Sequence, residues 1–221
     1  MKVKKDKSVE GLFWVNRKIA TKNLVKRKRV YGEKLVKVGK DEFRLWDPTR
    51  SKLGAAIMRD CLDLGFKSNS KVLYLGAASG TTVSHVSDML PDGRVYALDV
   101  APRVVRELLS VAEDRENLFP LIFNANIPNS YANLIEDVDV VFQDVAQKNQ
   151  VQILVKNCDV FLKKGGYALL ALKARSVDVT KKPGQVFEVA RQELSKYFKV
   201  LRMVKLEPFE KDHAFFVLKK L

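Results

Sequence analysis

Cysteine is scarce in this sequence, where Cys61 and Cys158 are the only two among 221 residues. Two cysteines are too few for a disulfide framework or a metal cluster, so we expect buried thiols in a reducing compartment and no metal site. Long hydrophobic runs are also missing, since the longest aliphatic segments, such as residues 167–172, are far too short to span a bilayer. No hydrophobic signal core follows the basic amino terminus. We therefore expect a cytoplasmic protein with no membrane partner.

Acidic residues are too few to balance the basic ones. The chain has 40 Lys and Arg against 26 Asp and Glu, a net charge of +14, and residues 1–40 hold fourteen basic residues against Asp6, Glu10 and Glu33, a balance of +11. A solvated basic face without function would give the same excess. Contact with a polyanion explains the clustering better, and nucleic acid is favoured over a membrane surface because no basic amphipathic helix with an aromatic face is present.

The first fifty residues contain short β-prone runs and no convincing helical period. These runs lie at residues 11–15, 24–25, 30–31, 35–38 and 43–46, with glycine-containing turns between them. They predict a small antiparallel sheet with basic residues on its solvent face. Helical spacing begins at Lys52 and continues to Leu64, with Gly65 as the expected stop. We therefore predict a small basic β domain at residues 1–50 and a larger domain at residues 51–221.

Strand and helix patterns alternate from residue 71 onwards. Strands are predicted near 71–76, 94–100, 118–123, 138–143 and 167–173, and helices near 81–90, 103–115, 129–136, 148–162 and 184–198. Such alternation produces a doubly wound parallel sheet. The last two predicted strands, 199–206 and 213–219, are joined by so short a polar link that they must pair antiparallel.

A small-residue loop at the end of the first of these strands predicts a ligand site. Gly76, Ala78 and Gly80 leave the backbone bare enough for a ligand to lie against it, and Thr81 and Thr82 can cap the helix that follows. Asp99 ends the next strand, where its carboxylate can bind ribose hydroxyls. This pattern indicates an adenosine cofactor, although a turn without a ligand has the same composition. The irregular glycine spacing favours S-adenosylmethionine over a dinucleotide, whose pyrophosphate needs the helix amino end.

The same segment, residues 74–88 with the sequence YLGAASGTTVSHVSD, resembles the cofactor loop of fibrillarin, the RNA 2′-O-methyltransferase of box C/D guide ribonucleoproteins. The resemblance extends to VYGE at 30–33, FRLWDP at 43–48 running into RSKL at 50–53, DVAQ at 144–147, KARS at 173–176 and DH at 212–213. It implies an α/β fold, a seven-stranded Rossmann-like methyltransferase sheet with its last strand antiparallel. The chain lacks the Gly/Arg-rich extension of eukaryotic fibrillarins and so resembles the archaeal type.

The resemblance also implies which residues bind the cofactor. Beyond the glycine loop, it assigns contacts to Thr81, Thr82, Asp99, Val100, Asn124, Ala125, Asp144, Val145, Ala146 and Gln147. Asn124 departs from the family pattern, which has an acid that accepts from the adenine amino group. Asn keeps one acceptor oxygen and loses the charge, so weaker binding is expected.

A catalytic tetrad of Lys52, Asp144, Lys173 and His213 is likewise implied by the resemblance. A ribose hydroxyl is a poor nucleophile, so the protein must align it with the activated methyl group and steer its proton. Taken singly, each residue has an ordinary structural explanation, such as a helix-surface lysine or a strand-end histidine. His85, the other histidine, is interpreted as a surface or second-layer residue.

The resemblance implies guide-RNA-directed 2′-O-methylation of rRNA or tRNA. Its partners would be a box C/D guide RNA with its target RNA, a Nop-family scaffold protein and a kink-turn-binding ribosomal-type protein. Two alternatives remain: a small-molecule or protein O-methyltransferase on the same fold, and a non-catalytic RNA-binding assembly subunit. The basic amino-terminal region argues against the first alternative, and the complete tetrad argues against the second.

Overall fold

The computed structural model describes residues 2–221, and its amino-terminal part is a five-stranded antiparallel sheet. The strands are β1 (Val3–Lys5), β2 (Leu12–Val15), β3 (Lys18–Lys22), β4 (Leu35–Val38) and β5 (Asp41–Leu45), in the order β1-β2-β3-β5-β4. The predicted antiparallel sheet is confirmed, but the runs 24–25 and 30–31 are not strands, and β1 and β3 were not predicted. Asn16 and Arg17 turn the chain from β2 into β3 with positive φ angles of 48° and 67°, a hairpin turn without the usual glycine.

Seven further strands form the main sheet. They are β6 (Lys71–Leu75), β7 (Arg94–Asp99), β8 (Leu118–Ile122), β9 (Val138–Gln143), β10 (Leu162–Lys173), β11 (Phe198–Lys205) and β12 (His213–Lys220). Their order is β11-β12-β10-β9-β6-β7-β8, and β12 alone runs in the direction opposite to the other six strands. This confirms the predicted sheet. The strand order reverses beside β6, and a doubly wound sheet binds ligands at the carboxyl ends of the strands at such a switch point.

Six α-helices connect and cover the strands. They are α1 (Lys52–Met58), α2 (Thr81–Met89), α3 (Pro102–Ala112), α4 (Gln150–Phe161), α5 (Ala174–Val177) and α6 (Pro183–Leu194), within residues 2–221. The segments Pro48–Arg50 and Pro128–Leu134 are 3₁₀ helices. The α-helix predicted at 129–136 is thus wrong in type. Both the N–H and the hydroxyl of Ser130 bond to the Ile127 carbonyl, which favours the tighter turn.

The first helix ends at Met58, six residues before its predicted last residue, Leu64. Asp60 adopts a left-handed φ of 58°, its N–H bonds to the Ile57 carbonyl, and the Cys61 N–H bonds to the Ala56 carbonyl. This is a Schellman motif in which Asp takes the position that Gly usually holds. The sequence pattern pointed to Gly65 because Leu62 and Leu64 keep a helical spacing after the helix has ended.

The amino-terminal sheet packs on α2 and shares its core. Leu12 and Ile19 lie in the same buried apolar cluster as Val86 and Met89. His85 is fully buried beneath this sheet, stacked on Trp46 with ring centroids 4.6 Å apart, so the surface interpretation was wrong. Residues 1–50 cover the face of α2 that carries His85. The local sequence around His85 gives no sign of this covering segment. The division into units at residue 50 stays a prediction.

Cys61 and Cys158 are both buried free thiols, as predicted. Burial raises the pKa of the Cys61 thiol to about 11, so it stays protonated at neutral pH. Within residues 2–221, no helix has the length and apolar character needed to cross a bilayer.

Candidate active site

The loop between β6 and α2 folds back onto the end of β7. The N–H groups of Gly76 and Ala77 both donate to the Leu98 carbonyl, at 2.8 and 3.1 Å. Gly76 has a φ of +82°, and a Cβ there would collide with the carbonyl oxygen of Asp144, so only glycine fits. The loop therefore lies directly beside the residue that follows β9.

The predicted threonine caps of α2 are not formed. Gly80 precedes the helix with a φ of +107°, and no side chain caps the helix there. Thr82 instead donates its hydroxyl to Ser51 Oγ at 3.0 Å, and Ser51 in turn caps α1 by accepting from the Gly54 N–H. The two helices that flank the site are thus tied together at their amino ends.

Asp99 lies at the end of β7, facing this loop. One carboxylate oxygen accepts from the Ala78 N–H and the other from the Ala101 N–H, each at 3.0 Å. Each carboxylate oxygen can accept more than one hydrogen bond. The carboxylate is therefore held in place by backbone while keeping acceptor capacity for a pair of hydroxyl groups.

A cavity of about 250 Å³ opens at this edge of the sheet. Ten of the thirteen predicted cofactor residues line it: Gly76, Ala78, Asp99, Val100, Asn124, Ala125, Asp144, Val145, Ala146 and Gln147. Gly80, Thr81 and Thr82 do not line it. The remaining lining residues, Leu98, Phe123, Asn126 and Ile153, were not predicted. Phe123 and Asn126 lie within two residues of Asn124, just after β8, so the position of that strand could have indicated them.

The charges of the lining restrict what this cavity can bind. Asp99 and Asp144 contribute carboxylates, and the lining drawn from residues 2–221 contains no Lys or Arg. An anionic pyrophosphate would meet the carboxylate of Asp99 there, with no Lys or Arg in that lining to offset it. The predicted S-adenosylmethionine, which carries a positive sulfonium and no phosphate, fits this set of donors and acceptors.

Asn124, the departure from the family pattern, uses its oxygen within the protein. Asn124 Oδ1 accepts from the N–H of Asn126 at 2.9 Å and from its side-chain amide at 3.2 Å. Asn126 Oδ1 accepts in turn from Asn149 at 2.7 Å. The oxygen that the sequence suggested for adenine is therefore already engaged, and the amide nitrogen of Asn124 is the group that differs from a carboxylate.

Lys52 forms an ion pair with Asp144, which lines the cavity. The ammonium lies 2.9 Å from one carboxylate oxygen and 3.0 Å from the other, with 24% and 19% of the two side chains exposed. Lys52 is the first residue of α1, and Asp144 directly follows β9. The pair joins the predicted catalytic residues to the lining of the cofactor cavity.

Lys173 and His213 lie opposite each other across β10 and β12. Lys173 is exposed, whereas His213 is buried. His213 Nδ1 lies 2.7 Å from the Lys211 carbonyl, so Nδ1 carries the proton. Nε2 then carries a lone pair. This atom is buried and has no hydrogen-bond partner in the described part of the chain.

Burial lowers the pKa of His213, and the positive charge of Lys52 lowers it further against the opposing effects of the Lys211 carbonyl, Glu210 and Asp144. The ring is therefore neutral at pH 7. The structure thus brings the four predicted residues to one edge of the sheet, as a contacting ion pair and a strand-paired lysine and histidine.

A residue that sequence reasoning missed supports Lys173. Gln150, the first residue of α4, is buried and bonds the backbone of Lys173 through its side-chain amide. Nothing in the local sequence indicates this contact, because the two residues are 23 positions apart.

Comparisons with known proteins agree with the resemblance seen in the sequence. The family model described as Fibrillarin matches residues 3–220. A relative from Pyrococcus abyssi named "Fibrillarin-like rRNA/tRNA 2'-O-methyltransferase" is 52% identical over 204 residues, covering 92% of this chain and 90% of its own.

Two solved structures extend the match to the fold. Aeropyrum pernix fibrillarin with natively bound S-adenosyl-L-methionine superposes with a TM-score of 0.91 at 42% identity, covering 99% of this chain and 98% of its own. The fibrillarin of a fibrillarin/Nop5p complex gives 0.90 at 38% identity, covering 96% and 99%. With a family model, close relatives and solved folds all matching nearly end to end, the chain belongs to the fibrillarin family.

Proposed function

We propose that this chain transfers a methyl group from S-adenosylmethionine to the 2′-hydroxyl of ribose in rRNA or tRNA. One observation carries the proposal most directly: Asp144 both lines the cofactor cavity and pairs with Lys52 at 2.9 Å. A single residue thereby couples cofactor binding to the proposed reacting hydroxyl. The name of the Pyrococcus abyssi relative and the cofactor in the Aeropyrum pernix structure support the same reaction.

S-adenosylmethionine, when bound, supplies a methyl group that its sulfonium already activates. Asp99 would hold the ribose of the cofactor through the acceptor capacity that its backbone hydrogen bonds leave open. Asn124 and Ala125 would border the adenine, and residues 144–147 would form the opposite wall. Apolar side chains such as Phe123 and Ile153 exclude water from that cavity.

The remaining task of the protein is to orient the hydroxyl and receive its proton. Lys52 fixes the carboxylate of Asp144, and Lys173 offers an exposed cation at the same edge. The carboxylate oxygens of Asp144 and the Nε2 atom of His213 offer lone pairs that can accept the proton, whereas a lysine accepts a proton only when neutral. Alignment and proton transfer by positioned groups contribute about 10²- to 10⁴-fold to such reactions.

We further propose that a box C/D guide RNA selects the target and that a Nop-family scaffold and a kink-turn-binding ribosomal-type protein hold the complex together in the cytoplasm. The fibrillarin/Nop5p complex supports the scaffold partner. In this proposal, residues 1–50 supply basic surface for the RNA, and residues 51–221 supply the chemistry. The charge of +11 within residues 1–40 supports that division of roles.

The proposal is tested by single-turnover methyl transfer from labelled S-adenosylmethionine to a guide-matched RNA in a preassembled complex. We expect transfer to the matched RNA and none to the same RNA with a 2′-deoxyribose at the target position. Lys173→Ala should retain cofactor binding and lose about 10²- to 10⁴-fold in rate. Lys164→Ala, which removes an exposed lysine elsewhere, is the matched control.

Two results would contradict the proposal. Transfer to the deoxy target would mean that the acceptor is not the ribose hydroxyl. A normal rate for Lys173→Ala would mean that the tetrad is assigned to the wrong residues.

A further inference from the structure

A second cavity, of about 480 Å³, lies between the amino-terminal sheet and the 3₁₀ turn Pro48–Arg50. Its walls come from β3, from residues 31–34 and from the end of β5. It is separate from the cofactor cavity, with which it shares no lining residue. Its outer wall is the chain segment that runs into Lys52.

The rim of this cavity carries a surplus of positive charge. Arg17, Lys18, Lys34 and Arg50 line it and are exposed. Two acids also line it: Glu33, which is buried and paired with Arg44, and Asp47, whose carboxylate accepts from the N–H and hydroxyl of Thr49. Because Arg44 neutralises Glu33, the four exposed cations face only one carboxylate. The cavity therefore attracts anions.

Tyr31 gives this cavity a fixed aromatic wall. Its hydroxyl lies 2.7 Å from Nε2 of the buried His85, and burial raises its pKa to about 12, so it remains a phenol. The Arg50 guanidinium lies 5.0 Å from the centre of the Tyr31 ring and donates to the Tyr31 carbonyl at 3.1 Å. One cation of the rim is thus held in a defined orientation instead of moving freely in solvent.

The cavity adjoins the proposed reaction site along the chain. Arg50 is separated from Lys52 only by Ser51, so their Cα atoms lie at most about 7 Å apart. Ser51 is itself fixed, because it caps α1 and accepts from Thr82. A polymer whose reacting ribose lies beside Lys52 can therefore reach the cavity with its neighbouring nucleotides.

We propose that this cavity binds the phosphodiester backbone of the substrate RNA next to the target ribose. This inference rests on the proposed function, which places the ribose near Lys52. Several separated cations around one fixed ring suit a chain of phosphates better than a single small anion. Because phosphate contacts carry no base identity, the cavity would position the substrate strand without selecting its sequence.

The double variant Lys18→Gln/Lys34→Gln tests the cavity, since neither lysine side chain forms a hydrogen bond within residues 2–221. Binding of the full chain to a single-stranded oligoribonucleotide is measured across a range of salt concentrations. We expect several-fold weaker binding at low salt and a log–log salt slope smaller by about 1.4, as for two lost phosphate contacts. Lys164→Gln/Lys199→Gln removes the same charge from two exposed lysines elsewhere and should leave the slope nearly unchanged.

In the guide complex, the cavity variant should raise KM for the substrate RNA while kcat and the Kd for S-adenosylmethionine stay unchanged. The inference would be overturned if both double variants lost the same RNA affinity. It would also be overturned if the cavity variant kept the KM of an active wild type. The inference would also be overturned if the cavity variant bound RNA normally but no longer assembled with its partner proteins. That result would mean that the cavity binds an acidic surface of a partner protein. A wild type that binds RNA but transfers no methyl group would instead refute the proposed function.

Discussion

The side-chain amide of Gln150 bonds both backbone polar atoms of Lys173. The Lys173 N–H donates to Gln150 Oε1 at 3.2 Å, and Gln150 Nε2 donates to the Lys173 carbonyl at 3.3 Å. The neighbouring strand β9 ends at Gln143, which pairs with Leu170, so Lys173 lies beyond the last residue that β9 can hold. Gln150 thus takes the place of a strand neighbour at the point where the sheet edge carries the proposed catalytic lysine. Gln143 supports this arrangement by donating to the Gln150 carbonyl at 2.7 Å.

Gln150→Leu should therefore misplace Lys173 without disturbing the cofactor cavity. We expect kcat for methyl transfer to fall about 10- to 100-fold, since a displacement of about 1 Å can cost that much. KM for RNA, the Kd for S-adenosylmethionine and the stoichiometry of its binding should stay unchanged, whereas a partly unfolded protein would lose stoichiometry together with kcat. Gln152→Leu, on the exposed side of the same helix, is the control, and equal effects of the two substitutions would refute a positioning role.

Asp99→Ala should weaken S-adenosylmethionine binding, because ribose hydroxyls would lose their acceptor in a desolvated site. The expected cost is about 1 to 3 kcal/mol, which corresponds to a Kd about 5- to 150-fold higher by calorimetry. Asp92→Ala removes an exposed carboxylate from the turn before β7 and should bind the cofactor normally. Unchanged affinity in Asp99→Ala would place the cofactor elsewhere.

Asn124→Asp should strengthen cofactor binding. The substitution keeps an oxygen for the Asn126 N–H and replaces the amide nitrogen by a second, charged acceptor. A hydrogen bond to a charged group is worth about 1 kcal/mol more than a neutral one, so a Kd about fivefold lower is expected. Asn129→Asp adds the same charge at an exposed position outside the cavity. If both variants bind equally well, added negative charge alone explains the effect.

The two histidines should make the protein less stable as the pH falls. Burial and the charges of Arg44 and Arg115 lower the pKa of His85 well below 6.5, and burial lowers that of His213. The unfolded chain therefore binds more protons than the folded one below about pH 6.5, and stability rises with pH in that window. The contribution is fully present above pH 6.5 and is lost progressively at lower pH.

Urea unfolding between about pH 5.5 and 6.5 measures this effect. Two histidines give a slope of up to about 2.7 kcal/mol per pH unit, and His85→Gln should reduce it by up to half. The comparison is between slopes, so a general loss of stability in the variant does not affect it. An unchanged slope would show that His85 titrates normally in the folded protein.

The sequence predicted the parts of this molecule that depend on local pattern and missed those that depend on distant chain segments. Strand and helix alternation predicted the main sheet because buried parallel strands and amphipathic helices have different periods. β3 was missed because only Ile19, Ala20 and Thr21 separate its two terminal lysines. The burial of His85 and the contact of Gln150 with Lys173 arise from packing between segments far apart in sequence, which no local period encodes.

At the cofactor cavity, the same distinction holds. The end of each strand indicated Asp99, Asn124 and Asp144, because the carboxyl ends of parallel strands meet at one edge. Thr81 and Thr82 were predicted as caps because hydroxyl side chains generally cap helices. In the structure, Gly80 precedes α2 in a left-handed conformation, and no side chain caps the helix. The bond from Thr82 to Ser51 depends on α1, whose end the pattern also misplaced.

Asp88 links the amino-terminal sheet to the main domain, so the two should unfold together. Its carboxylate accepts from Arg44 of the amino-terminal sheet at 2.8 Å and from Arg115, which follows α3, at 2.7 Å, and Thr21 donates to it as well. All of these side chains are buried, so separating the sheets would break the Arg44–Asp88 ion pair and expose the apolar residues around it to water. Residues 51–221 expressed alone would expose this carboxylate beside an uncovered α2. Amide protons in β3 and α2 should consequently exchange with solvent together, through a single opening event.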